Sequence, residues 1–432
     1  MSRRRFYIRT FGCQMNVYDS ELLRNMLEEE GFITVNSPED ADVVIVNTCA
    51  VREKPEERGI RYAKEAKRRG KKVILMGCVA QKRKEELLDV ADAVVGTREF
   101  HRVVDILKDW KFGVLYTDFG SLTSYFHWRR KNISFSEFVT IQVGCDNFCS
   151  YCIVPYTRGR EGSRPVDDII SELTYLESRG VKEVTLLGQN VNSYFYGGID
   201  FAELLEVIDK KVEIPRIYFT TSHPRDISLK VIHTVKNSKH IMSWFHLPLQ
   251  AGSTKVLMDM GRGYTKEEYI EIAGKIREII PEATITTDIM VGFPTESEAD
   301  FEETLDVVRK VKFDHAYMFI YSPRYPSKSA VVYRNDIPEE VKGRRLRRLI
   351  EEVNIYIKER RELMLGKEYE ILIEGPSKKS RDYSRGKTQG NLTCIVPGIF
   401  DPGTFLKVKI KEIIGLTPLG EPLQVISYPV SS

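Results

Sequence analysis

The first 117 residues alternate short apolar runs with amphipathic stretches. Residues 6–10, the run Asp42-Val43-Val44-Ile45-Val46-Asn47, residues 72–76 and residues 93–95 have the length and composition of strands. Between them, residues 19–30 place Leu22, Leu23, Met26 and Leu27 on one helical face, and residues 55–69 and 81–88 continue the helical rhythm. Apolar runs without polar alternation predict strands covered on both faces, hence a doubly wound parallel sheet. Residues 118–134 break the pattern and read as a linker, whose Tyr125, His127, Trp128, Arg129, Arg130 and Lys131 are suited to touching RNA. The alternation restarts at 135 and continues to about 365. Strands are expected at 138–143, 183–187, 216–221, 243–249, 284–290 and 314–321. The intervening helices are expected at 166–179, 201–210, 228–236, 266–280, 298–312 and 339–363. Six strand–helix units without a hairpin signal predict a partial (β/α)6 barrel, smaller than the eight-unit form. From 366 to 432 the chain turns to short β runs at 368–374, 392–396, 406–414 and 423–427, divided by Gly- and Pro-bearing turns. That pattern predicts a small antiparallel, OB-like β-barrel. The expected fold is α/β, in three domains: 1–117, 135–365 and 366–432.

Length and charge add limits. A chain of 432 residues holds two or three domains, and a net charge of +3 does not by itself demand a polyanionic partner. The opening residues run directly into a strand pattern with no apolar signal core, and no uncharged apolar run reaches membrane-spanning length. A cytoplasmic protein with no membrane association is expected. In that compartment seven cysteines point to metal or redox chemistry rather than to disulfides.

Three of those cysteines, Cys145, Cys149 and Cys152, stand in a Cys-x3-Cys-x2-Cys loop directly after the first strand of the second region. Three thiolates ligating a four-iron cluster leave one iron open to a small molecule. A structural zinc knot would instead show paired Cys-x2-Cys units and a fourth ligand in register, whereas the nearest histidines are His127 and His223. Cys13, Cys49 and Cys78 each follow a predicted strand of the first region. A parallel sheet gathers all its carboxyl ends on one rim, so these distant cysteines are brought to one edge and predict a second three-cysteine centre. Cys394 has no such company and reads as a packed hydrophobe.

The other strand exits of the second region carry Gly188-Gln189-Asn190, Ser222-His223-Pro224, Gln250-Ala251-Gly252-Ser253 and Asp288 through Gly292-Phe293-Pro294, all suited to lining a ligand site. In the last region, Lys378, Lys379, Arg381, Arg385 and Lys387, with Tyr383 among them, form a basic loop suited to RNA. Arg344, Arg345, Arg347 and Arg348 cluster near the start of the last long helix, where ion pairing on a solvated face accounts for most of them.

The Cys-x3-Cys-x2-Cys loop, with Tyr151 before its last cysteine, resembles the radical S-adenosylmethionine enzymes, and the three-part layout resembles their methylthiotransferase branch with a C-terminal TRAM domain. Gly12-Cys13-Gln14-Met15-Asn16, Asn47-Thr48-Cys49-Ala50-Val51-Arg52-Glu53-Lys54, Gly77-Cys78-Val79-Ala80-Gln81 and Cys152-Ile153-Val154-Pro155-Tyr156-Thr157-Arg158-Gly159 resemble the tRNA 2-methylthio-N6-isopentenyladenosine synthases, the MiaB type. Two departures, Val143 before Gly144 and Lys387 in Gly386-Lys387-Thr388, touch no cysteine. The resemblance implies two [4Fe-4S] clusters, one on Cys145, Cys149 and Cys152 and one on Cys13, Cys49 and Cys78. It implies S-adenosylmethionine both as radical source and as methyl donor, and replacement of the C2 hydrogen of isopentenylated adenosine 37 by a methylthio group. That C–H bond offers no acidic proton to an ordinary base, so radical chemistry is intelligible there. By position, Tyr151 would lie near the adenine of S-adenosylmethionine, with Gln189, Ser222, Gln250, Arg262 and Asp288 around its amino acid and ribose. The implied partners are a tRNA anticodon stem-loop and an electron donor such as flavodoxin or ferredoxin, acting on a monomer.

Three alternatives have different consequences. A methylthiotransferase of a ribosomal-protein aspartate would turn over a peptide, and one of threonylcarbamoyl-adenosine in tRNA is separated only by family motifs. A non-catalytic iron–sulfur or zinc RNA-binding protein would cleave no S-adenosylmethionine. The enzyme readings carry one geometric demand: the strand-exit edges of the first two domains must face each other.

Overall fold

The computed structural model describes residues 4–122, 131 and 133–428. The linker residues Tyr125, His127, Trp128, Arg129 and Arg130 lie outside them, whereas Lys131 pairs with Glu29 at 2.9 Å.

The N-terminal region is a wholly parallel six-stranded sheet in the order β2-β1-β3-β4-β5-β6. The strands are β1 (Arg5–Phe11), β2 (Ile33–Thr34), β3 (Val43–Thr48), β4 (Lys72–Gly77), β5 (Ala93–Val95) and β6 (Val114–Tyr116). Every residue of β3 is buried, as its unbroken apolar run requires. Helices α1 (Gln14–Glu29) and α4 (Arg102–Asp109) bury Leu22, Leu23, Met26 and Val103 in a core with Ile45, Ile74 and Val95 from one face of the sheet. Helices α2 (Glu53–Arg68) and α3 (Cys78–Arg83) bury Ala63, Ala66 and Val79 with Val44, Val46 and Leu75 from the other. The alternation of β3 and β4 residues between these two cores is the period of two that a strand imposes. Helix α1 begins five residues earlier than its apolar face predicts, because Cys13 is its N-cap. β2 and β6 are too short to have been expected, whereas α4 was not expected although Val103, Val104, Ile106 and Leu107 give it an apolar face.

The second region matches its periodicity closely. Strands β7 (Ser136–Thr140), Glu183–Leu187 and Arg216–Phe219 form one parallel sheet, and Trp244–His246, Thr284–Val291 and His315–Ile320 another. The N–H of Ile217 donates to the carbonyl of His240 at 2.8 Å, and that of Met242 to the carbonyl of Ile217 at 2.9 Å, which joins the two sheets into one open six-stranded wall. Helices Val166–Ser178, Phe201–Lys211, Leu229–Asn237, Lys266–Ile279, Glu298–Val311 and Glu339–Glu362 cover its outside. Of the arginine cluster on the last helix, Arg345 pairs with Glu296 at 2.8 Å and Arg348 with Glu298 at 3.0 Å, so structural pairing accounts for these two.

The C-terminal strands Glu368–Pro376, Tyr383–Thr388, Thr393–Pro397, Phe405–Ile414 and Thr417–Ile426 close into a five-stranded barrel around Ile371, Ile373, Cys394, Val396, Leu406 and Val408. Pairing is antiparallel except where Ile395 meets Leu419 in parallel. Tyr383–Thr388 is a strand where a loop was expected. Its inward positions Ser384, Gly386 and Thr388 are small, so its alternation does not show in hydrophobicity. A Cβ at Gly386 would lie 2.7 Å from the Leu372 carbonyl oxygen, so the packing of neighbouring backbone requires glycine there. This barrel docks on the starting ends of the wall's strands. Buried Arg216 donates to the Lys387 carbonyl at 2.7 Å and pairs with Glu370 at 2.9 Å, and Tyr218 Oη donates to the Gln389 carbonyl at 3.1 Å.

Candidate functional site

The opposite, carboxyl-end rim of the wall carries the cysteine loop. After β7, Gly144 takes a φ of +82°, and a Cβ there would lie 2.1 Å from the Arg160 carbonyl oxygen, so glycine alone fits the turn. Gln142 holds that turn from within: its Nε2 donates to the Gly144 carbonyl at 2.7 Å, and its Oε1 accepts from the Gln189 N–H at 2.8 Å. Gln189 returns the contact by accepting from the Gly144 N–H. The Ser150 N–H donates to the Met260 carbonyl at 2.8 Å and its hydroxyl to the Asp259 carbonyl at 2.9 Å, anchoring the far side of the loop. The result is a clamped scaffold for Cys145, Cys149 and Cys152, the first two buried and the third partly so.

Arg262 brings a buried positive charge to this loop from the segment after Met260. It is buried, and its Nη1 donates to Cys149 Sγ at 3.3 Å while Nη2 donates to the Pro248 carbonyl at 3.0 Å and Nε to Tyr264 Oη at 3.1 Å. The Val154 N–H points to Cys152 Sγ at 3.5 Å. Burial pushes the Cys145 thiol up to about 11 and the Cys152 thiol up to about 12. Such thiols become ligands when a metal takes the place of the proton.

The other candidates surround this loop. Tyr151 packs against the wall's core, and burial pushes its phenol well above the ordinary range. The Ser222 hydroxyl and His223 Nε2 are buried with no hydrogen-bond partner among the described residues, as expected of groups waiting for a ligand. Burial, and then the nearby Arg262 and Arg225, push the His223 imidazole down to about 2, so it is neutral; its Nδ1 accepts from the Arg225 N–H at 3.3 Å, which leaves Nε2 as a donor. Gln250 has a φ of +69°, and its N–H donates to the Asp288 carbonyl at 2.9 Å, which brings two candidate residues side by side. Asp288 Oδ2 lies 3.4 Å from Nε2 of buried His246. Phe148 and Thr221 share the positive φ of Gln250, at +45° and +67°. Three such non-glycine residues around one rim mark stored backbone strain. Of the six residues expected around S-adenosylmethionine, Gln189 and Arg262 also bond to the cysteine loop itself.

The second triad assembles as the sheet topology requires. Cys13 leaves β1 as the N-cap of α1, Cys49 follows β3, and Cys78 opens α3 after β4. A buried amide network joins two of these exits: Asn16 Nδ2 donates to Asn47 Oδ1 at 3.0 Å, Asn47 Nδ2 to the Asn16 carbonyl at 2.9 Å, and the Cys13 N–H to Asn16 Oδ1 at 3.3 Å. A Cβ on Gly77, which has a φ of +93°, would lie 2.3 Å from Asn47 Oδ1, so the third exit packs on the same amide. The Cys13 thiol donates to Asn16 Oδ1 at 3.3 Å. The neighbouring Cys49 thiol, with help from Arg158, lowers the Cys13 pKa to about 6, and the proximity of Cys13 raises that of Cys49. Burial raises Cys78, which Arg158 opposes by a side-chain contact.

The two rims face one another. Thr97 Oγ1 donates to the Thr157 carbonyl at 2.6 Å and Arg98 Nε to the Arg158 carbonyl at 3.0 Å, fastening the segment after Cys152 to the exit of β5. Ser322 Oγ donates to Glu53 Oε2 at 3.1 Å, and the Arg52 guanidinium lies 4.4 Å from the centre of the Phe319 ring. Ile153, from the cysteine loop, is buried in the core of the N-terminal sheet.

Both donor sets are all-thiolate, with N–H or guanidinium groups aimed at Cys49, Cys149 and Cys152 sulfur. Among the described residues no three His, Cys, Asp or Glu side chains converge on one ion. Thiolates at separate corners of a polynuclear cluster need no such convergence, so both sets fit iron–sulfur clusters better than zinc.

On the C-terminal barrel, Lys378, Lys379 and Arg381 are exposed in the turn before Tyr383–Thr388. Arg385 and Lys387 lie within that strand and pair with Glu374 at 2.9 Å and 3.4 Å, so the five expected basic residues do not act as one loop.

The Radical SAM superfamily profile matches residues 139–308, the Uncharacterized protein family UPF0004 profile residues 5–96, and the TRAM domain profile residues 362–414. The tRNA-2-methylthio-N(6)-dimethylallyladenosine synthase of Caldicellulosiruptor saccharolyticus is 44% identical over 89% of this chain and 85% of its own length. That of Carboxydothermus hydrogenoformans is 42% identical over 95% of this chain and 98% of its own. Among solved structures, the radical S-adenosylmethionine methyltransferase TsrM from Kitasatospora setae shares the fold, with a TM-score of 0.56 at 12% identity over 77% of each chain. At more than 40% identity over nearly its whole length, the chain belongs to the tRNA-2-methylthio-N(6)-dimethylallyladenosine synthase family of the radical SAM superfamily.

Proposed function

We propose that this chain is a tRNA methylthiotransferase that replaces the C2 hydrogen of N6-isopentenyladenosine 37 (the dimethylallyl nucleoside in its relatives' name) with a methylthio group. The observation that carries this reading is the meeting of two separate all-cysteine rims across one domain contact, held by Thr97, Arg98 and Arg158. Cys145, Cys149 and Cys152 would hold the cluster that binds S-adenosylmethionine, and Cys13, Cys49 and Cys78 the second. When bound, the clusters and S-adenosylmethionine supply the radical, the sulfur and the methyl group.

The chain's own residues orient and enclose these groups. Gln142 and Gln189 fix the turn that presents Cys145, and Arg262 keeps a positive charge on Cys149 sulfur. Ser222 and neutral His223 would offer buried polar atoms to S-adenosylmethionine, with Gln189, Gln250, Arg262 and Asp288 around it and Tyr151 near its adenine. No described helix is long and apolar enough to cross a membrane. The working enzyme is a cytoplasmic monomer of three domains (1–117, 135–365 and 366–432) with a linker at 118–134. It would draw electrons from a small redox protein of the flavodoxin or ferredoxin kind. Lys378, Lys379 and Arg381 would meet the phosphates of the anticodon stem-loop, with Arg385 and Lys387 in support.

Incubation of the reconstituted enzyme with isopentenylated tRNA, followed by mass spectrometry of the nucleosides, tests the reading. The 2-methylthio nucleoside is expected. An unmodified adenosine 37 with turnover of a ribosomal peptide would replace it with the protein-modifying alternative.

A further inference from the structure

Arg158 lies between the two cysteine rims. It belongs to the helix Val154–Arg158 that follows Cys152, yet its guanidinium leaves its own domain and pairs with Asp19 of α1 at 2.8 Å. The two side chains are 3% and 2% exposed, so the pair is withdrawn from water. Asp19 stands on the helix that Cys13 caps, so the pair sets the guanidinium's charge at the second rim, where it opposes the burial that raises Cys78. The Arg158 backbone is fixed independently by the Arg98 donor at 3.0 Å. A guanidinium can address a carboxylate and a thiolate at once through its planar fork, and a lysine ammonium cannot match that geometry.

A structural role alone does not account for this placement. Burying a charge is costly unless it is paired, and Asp19 already pairs Arg158 without any need for cysteine. Reaching Asp19 brings a fixed positive charge to a rim whose three thiolates would carry negative charge. The charge comes from the radical loop, so any shift of that loop also moves the charge.

We propose that Arg158 is a positioning residue for methylthio transfer: it fixes the Cys13, Cys49 and Cys78 rim against the 145–152 loop and keeps positive charge beside Cys78. This rests on the reading that both rims hold clusters. It assigns Arg158 two separable effects. The charge raises the reduction potential of the second centre. The brace sets the distance over which the two centres cooperate, so that deoxyadenosine formation and methylthio transfer stay coupled.

The test has two arms. In a parent carrying Cys145→Ala, Cys149→Ala and Cys152→Ala, the second centre is reconstituted alone and its midpoint potential measured. Adding Arg158→Met with Asp19→Asn, which removes both members of the buried pair and leaves no lone charge, is expected to move that potential negative; Arg158→Lys is expected to keep it near the parent value. In the otherwise intact enzyme, the same double substitution should lower methylthio product per deoxyadenosine formed by about 10- to 100-fold, and Arg158→Lys should recover only part of that loss. If the parent loads iron, and neither its potential nor the intact enzyme's product ratio responds to the double substitution, the proposal alone is overturned. An iron-free parent, with Arg158 still in place, would overturn the two-cluster reading and the proposal together.

Discussion

The two cysteine triads are built in opposite ways. Cys145, Cys149 and Cys152 lie within eight residues on one loop, and their geometry is set by local contacts from Gln142, Gln189 and Ser150. Cys13, Cys49 and Cys78 are spread over 66 positions and share a rim only because β1, β3 and β4 are parallel neighbours in register. The first triad is carried by a turn, the second by a fold. Each has one buried arginine at its rim, but Arg262 comes from the triad's own domain and bonds its sulfur, whereas Arg158 comes from the other and pairs with Asp19. A local triad can tolerate movement of the surrounding sheet, whereas a topological one requires every strand exit to stay in place.

The largest expected effect separates the triads by chemistry. Cys149→Ala should abolish deoxyadenosine formation and tRNA modification together, and anaerobic reconstitution should lose about one cluster's worth of iron. Cys49→Ala should lose a similar amount of iron but still cleave S-adenosylmethionine. If Cys149→Ala cleaves it normally, the assignment of the first triad is wrong, and iron for only one cluster in the unaltered protein would remove the second.

A smaller effect probes the arginine of the local triad. Arg262→Met removes the guanidinium from Cys149 and leaves the Pro248 carbonyl without that donor. Deoxyadenosine formation should fall about 10- to 100-fold, with the potential of that centre moving negative. An unchanged potential would make Arg262 a merely structural residue. The parallel change in the topological triad is Asn47→Ala, which strips partners from Asn16 and Ser20 in a buried network. Leaving buried polar groups unpaired costs about 1–3 kcal/mol. Thermal unfolding should show that loss, and iron should leave the second centre faster while the first keeps its own.

These contrasts also explain what the sequence makes legible. Cys-x3-Cys-x2-Cys is readable by itself, and the helices of the wall fall within two residues of their periodic pattern because each has a clear apolar face, as in Glu298–Val311. Cys13, Cys49 and Cys78 become a site only once the apolar runs are understood as adjacent parallel strands. Arg158 stands in the motif after Cys152, but its pairing is not legible, since its partner Asp19 stands 139 positions upstream and nothing local marks either as buried. The strand exits place Gln189 and Arg262 at this rim, but their bonds to the cysteine loop are not legible, because position along a strand exit does not say which way a long side chain turns. Tyr383–Thr388 was missed for the opposite reason: its inward residues are small, so a strand with basic outward positions reads as a polar loop.

That strand supplies the mildest prediction, and it turns the comparison from cysteines to arginines and lysines. Lys378 and Lys379 are exposed in a turn and have no acidic partner within salt-bridge distance among the described residues, whereas Arg385 and Lys387 share Glu374. A free cation that neutralises a phosphate of single-stranded RNA contributes about 0.7 to the slope of log affinity against log salt. Lys378→Ala and Lys379→Ala should each lower that slope by about this amount in a tRNA-binding titration, with no change in deoxyadenosine formation. Arg385→Ala should lower it less, because its charge is already partly spent on Glu374 and exposed pairs of this kind are worth about 0–1 kcal/mol. Equal slopes for Lys378→Ala and Arg385→Ala would mean that RNA displaces Glu374 and recruits the strand as well as the turn. A slope that ignores all three substitutions would move the RNA contact off this barrel altogether.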